Sequence, residues 1–344
     1  MYFIRKLSII ILINLFMVGA LYASEVNVYT SRHYDSDDVL YQKFTDATGI
    51  KVNVIAGKGK ALMERLASEG KNSPADVFIT VDAGNLWKIQ RDGMFQSISS
   101  NKINRIVPSN LRGPNDEWVG IAKRSRVIYY NPNNVSNDEI KGLTYEDLSD
   151  PKWNGRIVIR SSGNMYNQSL ISSLIANHGV EITEEWAKGF VSNFARKPEG
   201  NDRAQIMAVA NGEADIALAN SYYIGLMLSG KKGEEQQAAA KKVMLHFPSQ
   251  NGRGAHINVS GAGILKNAPN PDNAVKFIEF LLSPEAQTHI VNNTYEYPIL
   301  SNVVEPNKLI AQFGIDFKED QTSVANYGKF NPDAVKLMDR AGWQ

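Results

Sequence analysis

The chain contains no cysteine. Disulfides, thiolate metal sites, iron–sulfur clusters and lipid attachment through an N-terminal cysteine are thereby excluded, so stability must come from a packed core. Histidine is scarce as well. The five, at positions 33, 178, 246, 256 and 289, show neither zinc-protease spacing nor a His-x-His pair, which argues against a zinc centre. Charge of one sign is not in excess, since the net charge is only +1, and a near-neutral surface gives no electrostatic case for nucleic acid. No nucleophile elbow or dinucleotide fingerprint occurs, and Gly57-Lys58-Gly59-Lys60 fails the phosphate-loop spacing. Beyond the first residues no apolar run approaches membrane-spanning length.

The one such run lies at the start. Arg5 and Lys6 precede an almost unbroken apolar stretch from Leu7 to Leu21, in which Asn14 is the only strongly polar member, and Ala23 is a small residue suited to cleavage. That order of charge, apolar stretch and small residue reads as a secretory signal. A retained anchor is the rival, but the stretch is short for a bilayer-spanning helix. The expectation is export, cleavage near Ala23 and a soluble mature protein. Losing Arg5 and Lys6 turns the charge balance slightly negative. What remains exceeds the size at which one core splits into two. The Lys/Glu/Gln/Ala run from Lys231 to Lys242 reads as a solvated helix.

Strands and helices alternate from Glu25 onward. Glu25–Tyr29 alternates apolar and polar residues, a helix is expected from about Ser36 to Ala47, and Gly49 supplies a left-handed cap. Ile50, Val52 and Val54 then share one face of a strand, and a helix over Ala61–Ser68 leads to the strand Asp76–Thr80. This rhythm implies an α/β fold with mainly parallel sheets flanked by helices. The sequence leading to Ala75-Asp76-Val77 is echoed before Ala214-Asp215-Ile216, which suggests two lobes of similar design. Val119–Tyr130 and His256–Leu265 read as two extended crossings between them, a hinge of the kind that closes lobes on a ligand. The expected division is a signal over 1–23, one lobe from 24–122 with 256–315, and a second from 123–255 with 316–344.

Ligands of open α/β sheets sit beyond the carboxyl ends of the strands. Three such junctions carry tyrosine: Ser31-Arg32-His33-Tyr34, Ser161-Ser162-Gly163-Asn164-Met165-Tyr166 and Asn220-Ser221-Tyr222-Tyr223. With 14 tyrosines in the chain, any one of these is more readily a core filler with a polar tip than a ligand. Tyr129 and Tyr130 show the contrast, since strand neighbours point to opposite faces and cannot serve one site. Tyr295 and Tyr297, before Pro298, read as loop or strand packing. Four junction tyrosines with a histidine, divided between two lobes, favour function. Phenolate is a hard anionic donor suited to a hard trivalent cation, whose charge lets a phenol of pKa ~10 ionise at neutral pH. Imidazole also suits iron, whereas magnesium and calcium prefer carboxylate and carbonyl oxygen.

His33-Tyr34, the Ser-Ser-Gly-Asn loop with Tyr166, and the Tyr222-Tyr223 pair resemble the periplasmic ferric-iron-binding proteins of ABC importers. Lys123–Asn131, Gly254–Asn258 and Phe277–Gln287 are similar to that family too. The resemblance covers nearly all the chain beyond the signal. It implies a monomeric, hinged periplasmic carrier, not an enzyme, that takes Fe(III) as its transported ligand and delivers it to an inner-membrane ABC permease. Within the family, some members use His, Glu, two Tyr and an exogenous anion, and others use His-Tyr with three further tyrosines. The loop Gly57–Lys60 offers no glutamate, so His33, Tyr34, Tyr166, Tyr222 and Tyr223 match the second type. Arg124 and Arg126, two apart on the first crossing and so on one face, are candidates to offset the charge of a phenolate site. The resemblance points to the same stretch, with Arg124 favoured, while the plainer reading has both tie the strand to acidic neighbours. Two other functions stay open: a small anion or other solute on the same scaffold, held at the Ser161–Asn164 turn, or a non-haem iron enzyme, which would want two histidines and a carboxylate.

Overall fold

The computed structural model describes residues 24–32 and 34–344. The signal segment and His33 lie outside the described residues.

Among the described residues nine strands form the sheet: β1 (Glu25–Thr30), β2 (Lys51–Ala56), β3 (Val77–Val81), β4 (Phe95–Gln96), β5 (Trp118–Tyr130), β6 (Ile157–Val158), β7 (Ile216–Asn220), β8 (Met244–His246) and β9 (Ile257–Leu265). Their order is β2-β1-β3-β9-β5-β7-β6, with β4 beside β9 and β8 beside β5. β1 runs parallel to β2 and β3, and β6 parallel to β7. Every antiparallel pairing involves β5 or β9, the two extended segments expected to cross.

β5 explains how one chain makes two halves. Its 13 residues are all buried. Trp118–Ser125 pair with β9, and Arg126–Tyr130 then pair with β7, so the strand leaves one half and enters the other. The changeover falls at Lys123-Arg124-Ser125-Arg126, a polar stretch between apolar ends. Buried cations require partners, and each has one: Lys123 Nζ lies 2.7 Å from Glu319, Arg124 3.5 Å from Glu296, and Arg126 pairs with Asp202.

Each half has its own apolar interior. One core gathers Val26, Val28, Phe44, Phe78, Ile79, Leu86, Trp118, Val259 and Phe277. Two others flank the second half of the sheet, one around Trp153, Leu170, Phe190 and Trp343, the other around Tyr129, Ile206, Ala219 and Met227. Tyr129 and Tyr130 fall into different cores, as their opposite strand faces require. The helix Asp37–Thr48 shows how local signals set this packing. Leu40, Tyr41 and Phe44 recur at helical spacing and are buried, and Phe44 meets Phe277 edge-on with ring centroids 5.1 Å apart. Gly49 ends the helix at φ 71°, its N–H reaching Thr45 O at 2.8 Å. Losing the Phe44 ring would cost about 3–5 kcal/mol.

The C-terminal chain passes between the cores. Tyr295, Tyr297 and Ile310 pack with the second half, where Tyr297 and Phe317 rings meet at 5.2 Å, whereas Val324, Ala325 and Tyr327 pack with the first. The C-terminal chain therefore contributes to both interiors. The short helix Ala325–Lys329 rests against both Ala83–Arg91 and Met165–His178. Between Lys231 and Lys242 only Glu234–Ala240 is helical, and Ala239 and Ala240 are buried, so this run is a surface helix with one packed edge.

Candidate functional site

The three tyrosine-bearing junctions all lie at carboxyl ends of strands. After β1, Arg32 N donates to Thr30 Oγ1 (3.1 Å) and Ser31 Oγ donates to Thr80 Oγ1 (2.7 Å), which fixes the turn before Tyr34. After β6, Asn164 caps the helix Met165–His178 by accepting from Tyr166 N at 3.1 Å. Asn167 holds the same loop from within, donating to Arg160 O and Ser161 O at 2.9 and 3.1 Å. After β7, Ser221 precedes the helix Tyr222–Leu228 without capping it. Its hydroxyl accepts from Ser125 N on the crossing strand at 3.2 Å, which anchors the paired tyrosines to the hinge.

Tyr34, Tyr166 and Tyr222 gather about Arg124, and Tyr223 lies beside Tyr222 and within the influence of Arg160. The Arg124 guanidinium carbon lies 6.0 Å from the centre of the Tyr166 ring, with Arg160 at 5.6 Å from the same ring. Arg32 sits 5.0 Å from the ring centre of Tyr34. Tyr222 is buried, while Tyr34, Tyr166 and Tyr223 keep partial exposure. Burial pushes the Tyr34 phenol well above its ordinary pKa, Glu296 pushes the same way, and Arg32 and Arg124 oppose them. Burial likewise raises Tyr222, helped by Tyr166, Tyr223 and Tyr34, with Arg124 opposing. Tyr223 rises through burial, then through Tyr166 and Asp202. Phenols from both halves of the molecule therefore sense one another, and without a cation burial keeps Tyr34, Tyr222 and Tyr223 neutral.

Arg124 and Arg126 share a strand face but not an environment. Arg124 stands between Glu296 and the tyrosines, and its pKa is raised because Glu296, Tyr166, Tyr222 and Asp82 outweigh the cost of its burial. Arg126 is engaged by Asp202, by Asn167 Oδ1 at 2.6 Å and by Asn220 Oδ1 at 3.3 Å, and so ties the strand to its neighbours. Sequence reasoning missed Glu296 altogether. It is fully buried, accepts from Ser260 Oγ at 2.8 Å and lies within 4.0 Å of Arg32. Its only signal was a lone acid between Tyr295 and Tyr297. Asp82 and Asp202, both buried, were missed for the same reason.

Among the described residues no three His, Cys, Asp or Glu side chains cluster as a metal site. A metal in this cleft would have to be held chiefly by phenolate. At the turn Ser161–Asn164, where the anion reading would seat its ligand, Tyr166 N is taken by Asn164 Oδ1 and Ser162 N by Gln344 O.

The family of bacterial extracellular solute-binding proteins matches residues 31–288. Iron uptake protein A1 of Synechocystis sp. is 53% identical over 93% of this chain and 88% of its own length. A Trichodesmium protein solved in complex with iron and citrate ligands superposes with a TM-score of 0.90 at 56% identity, covering 93% of this chain and 100% of that one. The ferric binding protein of Campylobacter jejuni superposes at 0.84 with 41% identity, again over 93% and 100%.

Proposed function

We propose, for a chain that belongs to the bacterial extracellular solute-binding proteins, that its cleft captures ferric iron and hands it to an ABC permease in the inner membrane. The observation that carries this reading is the meeting of Tyr34 from one half with Tyr166, Tyr222 and Tyr223 from the other around a buried arginine. Phenolate oxygen selects a hard, highly charged cation, and four phenolates surpass the charge of Fe(III) by one. Arg124 offsets that excess. His33, adjacent to Tyr34, is the fifth ligand in this reading and adds a neutral donor. The relatives named above support the same cargo. The protein is a carrier rather than an enzyme.

The signal segment, cleaved after Ala23, would place the carrier in the periplasm, where a monomer closes on iron about β5 and β9 and opens at the permease. Equilibrium dialysis of the mature protein against ferric citrate tests the cargo. One iron per chain is expected, lost when Tyr34, Tyr166, Tyr222 and Tyr223 are changed to Phe. Retention of phosphate or sulfate instead of iron would favour the anion reading.

A further inference from the structure

One buried carboxylate outside the tyrosine cluster gathers donors from three separate segments. Asp82 follows β3, is fully buried, and caps the helix Ala83–Arg91. Its Oδ1 accepts from Gly84 N at 2.9 Å and from Ser169 Oγ at 2.7 Å, while Oδ2 accepts from Asn258 Nδ2 at 3.0 Å. Gly84 belongs to the first half and Asn258 to the crossing strand β9. Ser169 belongs to the helix of the second half that carries Tyr166, one turn further on. Burial raises the pKa of this carboxylate while Arg124 and the three donors oppose that shift, and of its three hydrogen bonds only the one from Ser169 spans the cleft.

Two further features mark this spot. Asp82 holds φ at 76°, a left-handed backbone that glycine would adopt more readily. An aspartate kept there in spite of the strain implies a use for its side chain. Beside it, a Cβ on Gly84 would lie 2.9 Å from Met165 Sδ and 3.7 Å from Ser169 Oγ. The absence of that Cβ lets the two helices touch where their halves meet.

We propose that Asp82 is a positioning residue that latches the Tyr166 helix to the first half and so governs how long the closed cleft retains its iron. The inference rests on the ferric reading of the cleft. Opening about β5 and β9 carries Ser169 and Tyr166 away together, because both ride on one helix. The carboxylate stays behind, bound to Gly84 and Asn258, and loses a charge-assisted hydrogen bond in a buried setting. Separation of Tyr166 from Tyr34 is therefore coupled to breaking this bond.

The test uses the mature protein with Ser169→Ala, Ser169→Thr and Asp82→Asn. Ferric ion should pass to excess EDTA about ten-fold faster from Ser169→Ala, the effect of losing one such bond. Ser169→Thr, which keeps the hydroxyl, should restore the parental rate. A second readout needs no iron. The chain lacks cysteine, so nitroxides at Lys60→Cys and Glu199→Cys report the separation of the halves. In the iron-free Ser169→Ala and Asp82→Asn proteins the distance distribution should move to longer values. An unchanged release rate from Ser169→Ala overturns the proposal, as does an unchanged distance distribution in both variants. A parent protein that takes up no iron would overturn the ferric reading, and the nitroxide distances would still judge the latch.

Discussion

The rings of Tyr222 and Tyr223 lie with centroids 4.2 Å apart and planes inclined at 34°, although the residues are chain neighbours. Within a strand such neighbours would point to opposite faces. The start of a helix, just after β7 ends, lets both turn toward the same cleft. Their adjacency is the arrangement that the proposed paired phenolate grip would require.

Changing both residues to Phe keeps the rings and removes the oxygens. Iron affinity should fall by more than the ~10–100-fold that loss of a residue merely orienting a ligand costs. Fold stability should change by less than about 1.5 kcal/mol, as for other volume-conserving swaps. Iron titration beside thermal melting checks this. A collapsed melting temperature with retained affinity would make the pair a packing element.

Binding should release protons. The Tyr34, Tyr222 and Tyr223 phenols have raised pKa values, chiefly through burial, and are neutral in the iron-free protein. Each must lose its proton to coordinate. Acid therefore competes with iron, and affinity should fall as pH drops, by more than one decade per unit if more than one phenol binds. Calorimetric titration in buffers of different ionisation enthalpy counts the protons. A pH-independent affinity from neutral to mildly acidic conditions would count against several phenolates.

Arg124 and Arg126 should behave differently. Four phenolates leave the site one unit negative around Fe(III) and two around Fe(II), so a nearby cation favours the reduced state more. Arg124→Leu should lower the iron reduction potential. Arg126→Leu should instead unfold more easily, by roughly 3–5 kcal/mol, because Asp202 loses one of its buried partners. Redox titration and urea unfolding of both variants separate the two effects. No shift in potential for Arg124→Leu would leave it a strand anchor like Arg126.

His256 directly precedes β9 as a buried neutral ring, its centre 4.7 Å from that of the Tyr327 ring, and among the described residues its Nδ1 has no hydrogen-bond partner. Burial, then Arg126, Arg253 and Arg124, lower its pKa to about 3. In the unfolded chain it titrates near ~6.5. The folded state resists protonation, so this contribution to stability is present above that value. It declines as pH falls toward 3, by roughly 1.4 kcal/mol per unit. His256→Phe should flatten that part of the acid dependence. Urea midpoints at neutral and mildly acidic pH, compared with the parent, provide the check.

The alternation of elements and the two crossings were legible because their signals are local: period-two strands, helical spacing and the Gly49 cap. The position of the tyrosines at strand ends was legible because the strand patterns before them are local. Ser221 precedes a helix without capping it and accepts from Ser125 across the hinge, a long-range contact that no local pattern carries. Strand β6 is shorter than the apolar run Ile157–Ile159 and its flanking arginines, since Arg160 already turns away, its carbonyl accepting from Asn167 and its guanidinium donating to Asp202. Glu296 and Asp82 stayed hidden because a buried acid and an exposed one look alike in sequence. Only the arginine or serine brought to them by the fold distinguishes the two.

The most direct test of the ferric, phenolate-lined cleft is the visible absorption spectrum of the mature protein after addition of ferric citrate. Phenolate-to-iron charge transfer should colour the protein, saturating at one iron per chain and fading in the Tyr222→Phe, Tyr223→Phe double variant. A protein that binds one ferric ion and stays colourless would contradict the account.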